Sequence, residues 1–414
     1  MSKLHLSKNS KLIVDEIYAR KNDKREPETP EQLFLRVARF IAKADAKYKH
    51  KSFTDKLAQK YSKNFSWISK TKEFSEHTKH DKGVKQTEDD FFELLTSLDF
   101  LPSSPMLWNA HAQSPVLTSC TILSIDDSIP AIFEAVQKTA MLQQSGAGTG
   151  FNFSSIRPKG DLIKSSQGAA SGPLSFMNIF DAATECIRQG GRERGANAAV
   201  LRIDHPDIKE FILARQKGQL KNFNTYVAVT DKFMDAVEKQ ITYNLINPHT
   251  GKAVAKQSAH EIFRMIAESV WKCGNPGIVF IDAAEKKNPV QLPIEAVSPT
   301  GELVAHANSA VVMGSINLSQ MVKDKAIDYE RLKKRVHQAI HFLDNALDLS
   351  SLPPEIEQAT LAHRQIGLGV MGFADLLVQL KVRYSSDKAV QIAEELMSFI
   401  NTQSLEASRE LAKK

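Results

Sequence analysis

The stretch PVLTSCTILSIDDSIPAIFEAVQKTAMLQQSGAGTGFNFS, residues 115–154, decides the fold class. It opens on an apolar run rich in β-branched residues, PVLTSCTILSI (115–125). There follows DSIPAIFEAVQKTAMLQQSG, whose apolar residues recur at helical spacing, and then a Gly cluster, SGAGTGFNFS. A short apolar run bounded by turn residues reads as a strand, and recurrence at three and four residues reads as a helix. The alternation repeats with NTYVAVT (224–230) ahead of the helical DKFMDAVEKQ, and with GIVFIDAAEKK (277–287), where GIVFI reads as a short buried strand closed by Asp282. Strands separated by helices of this length imply an α/β architecture with parallel strands. Asp126 and Asp127 are placed to cap the helix that begins near Ser128. SGAGTG lacks the Lys-Ser/Thr of a phosphate-binding P-loop and reads as a tight strand-to-helix turn.

Outward from this stretch the texture changes. Residues 1–98 read as a mainly helical region and 99–414 as the α/β region. In ETPEQLFLRVARFIAKADAKY (28–48), Leu33, Val37, Phe40, Ile41 and Ala44 form a helical stripe, with Thr29 as N-cap and Pro30 and Glu31 in the first turn. Residues 49–90, rich in Lys, Ser and Asp with scattered aromatics, read as short helices and loops. From Ser386 onward the tail is an amphipathic helix in which Val390, Ile392, Ala393, Leu396 and Ile400 share a broad face.

With 414 residues, 42% hydrophobic and 25% charged, the chain has the composition of a soluble globular protein with a sizeable core. The net charge of +6 sits largely in the first hundred residues, as a solvated helical surface would carry it. No basic run is interleaved with aromatics, so a nucleic-acid partner is not expected. Cys120, Cys186 and Cys273 show no CxxC pairing, so neither a zinc site nor a disulfide framework is expected. No apolar stretch suits a signal peptide or a membrane span, and a cytoplasmic protein without a membrane partner is expected.

Eight segments occur in one order: PSSPMLWNA (102–110), SCTILSIDDS (119–128), SGAGTGFNFSSIRPKGD (145–161), ASGPLSFMNIFDAATECIRQGGRERGAN (170–197), HPDIKEFI (205–212), NFNTYVAVTDKFM (222–234), NPGIVFID (275–282) and IGLGVMGFADLL (366–377). In that order and spacing they resemble the catalytic subunit of ribonucleotide reductase, nearest to the adenosylcobalamin-dependent class (class II). The resemblance implies a ten-stranded α/β barrel of two antiparallel halves with a finger loop in its lumen, preceded by the helical region. It also implies that the barrel is partial here, because the chain stops before the family's later strands and its phosphate-holding Ser/Thr-rich loop. The family's optional ATP-binding cone is not expected at the start.

Ribonucleotide reduction needs a thiol that becomes a thiyl radical above the ribose, a carboxylate base for the 3′-hydroxyl, and two further thiols as reductant. A thiol suits the radical because its S–H bond exchanges hydrogen with a ribose C–H, whereas a hydroxyl holds hydrogen far more tightly. The family's finger-loop motif, Asn-Pro-Cys-Gly-Glu, matches Ser298, Pro299, Thr300, Gly301 and Glu302. The base, Glu302, is kept, while Thr300 replaces the radical cysteine and Ser298 the assisting amide. Cys120 matches the first redox cysteine, and Val311 stands where the second would be, before Gly314 and SINL. Cys273, in a strand approach, is a poor substitute.

For the substrate, the resemblance implies contacts from Ser103 (in place of the family's Asn), Ser104, Ser119 and Gly148. His111 replaces a Gly where a turn is expected, and reads as an exposed loop residue rather than a metal ligand. Deoxynucleoside triphosphate effectors bind at the family's dimer interface through two loops. These correspond to KSSQGAASG (164–172) and GGRERGAN (190–197), which makes Lys164, Arg188, Arg192 and Arg194 the effector candidates. Forked guanidinium donors suit phosphate and base edges. Adenosylcobalamin is the implied cofactor, a ribonucleotide the implied substrate, and a homodimer or a complementary reductase chain the implied partner. With two thiols replaced, the resemblance implies a chain inactive by itself. The alternatives to a working reductase are a non-catalytic nucleotide-binding homologue, a half-protein completed by another chain, and an unrelated binding protein on the same fold. Completion would restore strands but not Thr300 or Val311.

Overall fold

Thr29 opens the first long helix, Pro30–Ala42, through a reciprocal cap: its hydroxyl accepts from Gln32 N, and the Gln32 side chain accepts from Thr29 N at 2.8 Å. The stripe read from the sequence is the buried face, since Leu33, Val37, Phe40, Ile41 and Ala44 are all buried. This computed structural model describes residues 4, 6–22, 24–163, 167–189, 191 and 193–413, so Lys164 and Arg192 lie outside the described residues. The chain divides into two compact units.

The first unit comprises Met1–Ser119, Val311–Pro354 and Arg364–Lys414. Its core packs Pro30–Ala42 against Lys82–Thr96, with Tyr329–Leu349 lying on both. Phe342 meets Phe91 and Phe100 edge-on at 5.1 and 5.6 Å. Residues 49–81 are short helices and turns, as expected, but from Lys82 the chain enters the long helix Lys82–Thr96. The strand Ser309–Asn317 pairs antiparallel with Phe100–Pro102 and parallel with Ile366–Met371. The final helix, Asp387–Leu411, starts at the cap Ser386 and packs on Tyr329–Leu349. Its buried face is Ala389, Ile392, Leu396 and Ile400; Val390, expected there, is 66% exposed. Its position one residue after Ala389 turns it about a quarter of the way round the helix.

The second unit comprises Cys120–Ala310 and Glu355–His363. Five strands run parallel in sequence order: β1 (Cys120–Leu123), β2 (Gly148–Asn152), β3 (Asn197–Arg202), β4 (Phe223–Val229) and β5 (Gly277–Phe280). Crossover helices such as Ile129–Gln144 and Pro173–Cys186 connect them, giving the parallel α/β arrangement that the alternation implied, curled into a half-barrel.

Four local readings are corrected. Ser128, not Asp126 or Asp127, caps the helix Ile129–Gln144, because a serine hydroxyl directly before the first turn reaches Ala131 N, while Asp127 is drawn to Arg157 at 2.7 Å. SGAGTG turns the chain from helix into strand, the reverse of the expected direction, and its last glycines already belong to β2. β5 is only half-buried, with Phe280 53% exposed, because it pairs with β4 alone among the described strands. Cys273 ends the helix Ala259–Cys273 rather than approaching a strand; its exposed thiol donates to Ser269 O, one turn back. No helix among the described residues is long and apolar enough to cross a membrane.

Candidate functional site

Ala296–Val297 and Val304–Ala305 pair as a short hairpin in the second unit. Its turn is closed by Ser298 N donating to Leu303 O at 3.0 Å and Gly301 N donating to Ser298 O at 2.9 Å. Gly301 takes φ 78°, and a Cβ there would lie 2.5 Å from the Tyr226 hydroxyl oxygen. The hairpin runs directly over β2. A Cβ on Gly148 would lie 2.6 Å from Pro299 Cγ, and one on Gly150 would lie 2.2 Å from Val297 O. The glycines of SGAGTG therefore serve close approach of another backbone.

The turn presents Glu302. Ser298 Oγ donates to Glu302 Oε2 at 2.6 Å, the Thr300 hydroxyl donates to the same oxygen, and Cys120 Sγ at the start of β1 lies 3.7 Å from Oε1. Partial burial pushes the Glu302 carboxyl up, but the donors Ser298, Thr300 and Cys120 outweigh it and hold the group below the usual carboxylate range. Burial, and then the charge of Glu302, push the Tyr226 phenol up. Asn224, two residues before Tyr226 on the same face of β4, donates to Pro299 O at 2.7 Å and anchors the turn. The structure thus gathers Cys120, Gly148, Ser298, Thr300 and Glu302. The sequence reading missed Asn224 and Tyr226, although their alternation in NFNTYVAV was a visible signal. Chemically, the cluster is an ionised carboxylate with two hydroxyl donors on one oxygen and a thiol near the other, and with a hydroxyl at the tip.

In the first unit, Ser103 N donates to Met313 O at 2.8 Å and Ser119 N to Val311 O at 3.1 Å, so both serines flank the strand Ser309–Asn317. The Ser103 and Ser119 hydroxyls are buried without a hydrogen-bond partner. Orphaned buried hydroxyls cost about 1–3 kcal/mol each, a cost that a bound polar group would relieve. Ser104 differs: its hydroxyl meets that of Tyr18 at 3.2 Å. His111 is exposed and adopts φ 69°, the left-handed turn expected where the family has Gly.

A cavity of about 390 Å³ in the second unit is lined by Asp127, Arg157, Ile163, Ser171, Gly172 and His249. Arg188–Gln189 pairs antiparallel with Glu193–Arg194, Arg188 opposite Arg194; nothing of the Arg188 side chain is described. Arg194 Nε donates to Asn222 Oδ1 at 2.8 Å and its Nη2 lies 3.0 Å from Glu185, leaving the guanidinium exposed. Among the described residues, no group of three His, Cys, Asp or Glu side chains could hold a metal ion.

The family model for the ribonucleotide reductase all-alpha domain matches residues 4–115, and that for the ribonucleotide reductase barrel domain matches residues 118–414. The chain belongs to the ribonucleotide reductase family. It is 40% identical to the vitamin B12-dependent ribonucleoside-diphosphate reductase of Thermoplasma acidophilum, over 99% of this chain and 57% of that protein. It is 43% identical to the protein of the same description in Mycobacterium tuberculosis, over 78% of this chain and 46% of that one. A more distant relative is the ribonucleoside-diphosphate reductase subunit alpha of Chlamydia pneumoniae, 27% identical over 78% of this chain and 35% of the relative. The chain spans about half the length of the vitamin B12-dependent reductases it matches. The finger-loop and barrel expectations drawn from the family thus rest on a matched barrel domain.

Proposed function

We propose that this ribonucleotide reductase homologue binds nucleotides but does not, by itself, reduce them. One observation carries the reading. The group at the tip of the hairpin is the Thr300 hydroxyl, already donated to Glu302, where radical reduction needs a thiol. The relatives are named as vitamin B12-dependent, and adenosylcobalamin, the cofactor the resemblance implies, would supply the start of a radical on the protein. The residues at this tip do not fit that task, because an O–H bond holds its hydrogen too tightly. Glu302 would still accept a hydrogen bond from a ribose hydroxyl, since it is ionised. Cys120 would have no redox partner at position 311, which is Val.

Nucleotide binding is supported at two places. The unpartnered hydroxyls of Ser103 and Ser119, with Ser104, are donors for a ribonucleotide. The cavity lined by Arg157, Ser171 and Gly172 has room for part of a nucleotide, and the exposed Arg194 guanidinium is a separate donor for a deoxynucleoside triphosphate effector, whose other candidates by resemblance are Lys164, Arg188 and Arg192. Ile129, Phe133 and Met141 are exposed on the helix Ile129–Gln144 that leads from this cavity, which favours a homodimer. Association with a complementary reductase chain is the second reading, favoured by the exposed Phe280 on β5 and by Trp271, which is 85% exposed. On either reading the protein is cytoplasmic, with residues 1–98 as the helical region and 99–414 as the barrel part.

The test is direct. The purified chain, given adenosylcobalamin, a dithiol and either ribonucleoside diphosphates or triphosphates, is expected to form no deoxyribonucleotide by chromatography. Calorimetry with deoxynucleoside triphosphates is expected to show saturable binding, weakened by Arg194→Ala. Turnover by the chain alone would overturn the proposal, and so would failure to bind any nucleotide.

A further inference from the structure

Tyr18 comes from the far side of the sequence to reach a serine of the proposed ribonucleotide site. Residues Val14–Tyr18 form a single π-helical turn, closed by Ala19 N donating to Val14 O at 2.7 Å. Such wide turns are rare and are frequently found at functional positions. This one ends on Tyr18. Its ring stacks on Trp108 with centroids 6.0 Å apart, and its hydroxyl lies 3.2 Å from Ser104 Oγ. The strap is fastened on both sides. Arg20 donates to Trp108 O at 3.2 Å and to His111 O at 3.4 Å, and its backbone N–H donates to Glu28, which also holds Arg36. Arg36 in turn donates to Leu107 O and Ala110 O at 3.1 and 2.9 Å. The geometry is that of a fixed reach, with the stack and two guanidinium anchors setting where the phenol oxygen falls.

We propose that Tyr18 is a positioning residue that donates its hydroxyl hydrogen to Ser104 and so turns the Ser104 hydrogen toward a bound nucleoside diphosphate. The phenol is the more acidic of the two hydroxyls and therefore the donor of the pair. Ser104 then has its acceptor satisfied and its own hydrogen free, and in a donor chain each bond strengthens the next. Its neighbour Ser103 keeps a buried, unpartnered hydroxyl, a second donor beside it for an acceptor-rich ligand. Phosphate oxygens and ribose oxygens are such acceptors. This inference rests on the reading of Ser103 and Ser104 as a ribonucleotide site.

The experiment is calorimetric titration of the full chain with ADP and CDP, for wild type, Tyr18→Phe, Ser104→Ala and the double variant, with deoxynucleoside triphosphate binding as the internal control. Tyr18→Phe keeps the stack on Trp108, so its thermal midpoint is expected to match wild type. Each single variant is expected to weaken diphosphate binding about tenfold, the scale of one hydrogen bond to a charged group. The double variant is expected to weaken it little further, because both changes break one chain of bonds. Triphosphate binding is expected to be unaltered. Diphosphate affinity in Tyr18→Phe that equals or exceeds wild type, or losses that simply add, would overturn the positioning role while leaving the site in place. Triphosphate binding with no diphosphate binding in any form would overturn the site reading and this inference with it.

Discussion

Replacing Asp348 by alanine is expected to cost the first unit about 3 kcal/mol of stability, at the lower end of what removing one partner of a buried ion pair costs. Asp348 lies near the end of the helix Tyr329–Leu349 and is 2% exposed. Lys47 Nζ lies 2.5 Å from one carboxylate oxygen, while the Tyr48 hydroxyl donates to the other at 2.6 Å and Arg364 Nη2 lies 3.0 Å from it. Alanine would strand two cations and a phenol around a cavity. The loss stays near the lower bound because Arg364 keeps Asp344 at 2.8 Å and Lys47 is partly open to water. The same cluster sets a pH dependence. Burial pushes the Asp348 carboxyl up, but Lys47 and Arg364 outweigh burial and hold it below the usual range. A carboxyl depressed in the folded state contributes stability that is present above its ordinary value and fades as pH falls through its folded one. Asp45 acts in the same sense: burial opposes its ionisation, yet hydrogen bonds from His341, Thr87 and Asn345 and the charge of His341 hold it at about 2. Wild type should therefore lose stability steeply from about pH 4 downward, and Asp348→Ala less steeply. Urea titrations at pH 7 and pH 3 measure both quantities. Equal midpoints at pH 7 for the variant and wild type would show that the cluster stabilises nothing.

Much of the fold is legible locally, because it follows from signals within one element. The stripe Leu33 to Ala44 is buried throughout, the capping box begins at Thr29, and Ser386 opens the last helix. Errors arise where a distant segment decides. SGAGTG looks like a turn because glycines usually free the backbone, yet Gly148 and Gly150 are needed as surfaces on which a hairpin about 150 residues later can lie. GIVFI looks buried because it is apolar, but burial of a strand depends on neighbours on both edges. At the site, Thr300, Ser298 and Glu302 share a turn and are found together, as motif spacing implies. Tyr18 has no such spacing, since the pair it makes with Ser104 joins residues 86 positions apart. What the residues could do chemically was legible, whereas which hydroxyls are occupied and which are free was not.

Replacing Gly150 by alanine is expected to destabilise the second unit by about 3 kcal/mol and to loosen the hairpin selectively. The added methyl group would sit 2.2 Å from Val297 O and 2.8 Å from Ile122 Cδ1. The isoleucine tip can rotate away, but the carbonyl belongs to the backbone of the hairpin and must move by about an ångström to reach ordinary contact. Overpacking of this kind costs about 1–3 kcal/mol, and an obstacle made of backbone belongs at the upper end. The displacement cannot be absorbed by the turn alone, because Pro299 O is held by Asn224 of β4 and the bond from Ser298 N to Leu303 O makes the turn move with its strands. It would therefore draw Glu302 away from Cys120, whose sulfur belongs to β1 rather than to the hairpin. Two measurements separate this from a general loss of stability. Hydrogen exchange should rise at residues 296–305 while the β3–β4 pairing stays protected, and the Cys120 thiol, now buried, should become more reactive toward a thiol reagent. Unchanged exchange in the hairpin, alongside normal stability, would mean that β2 and the hairpin do not lie as closely as their backbones are placed, and the assignment of Glu302 to the same site as Cys120 would fall with it.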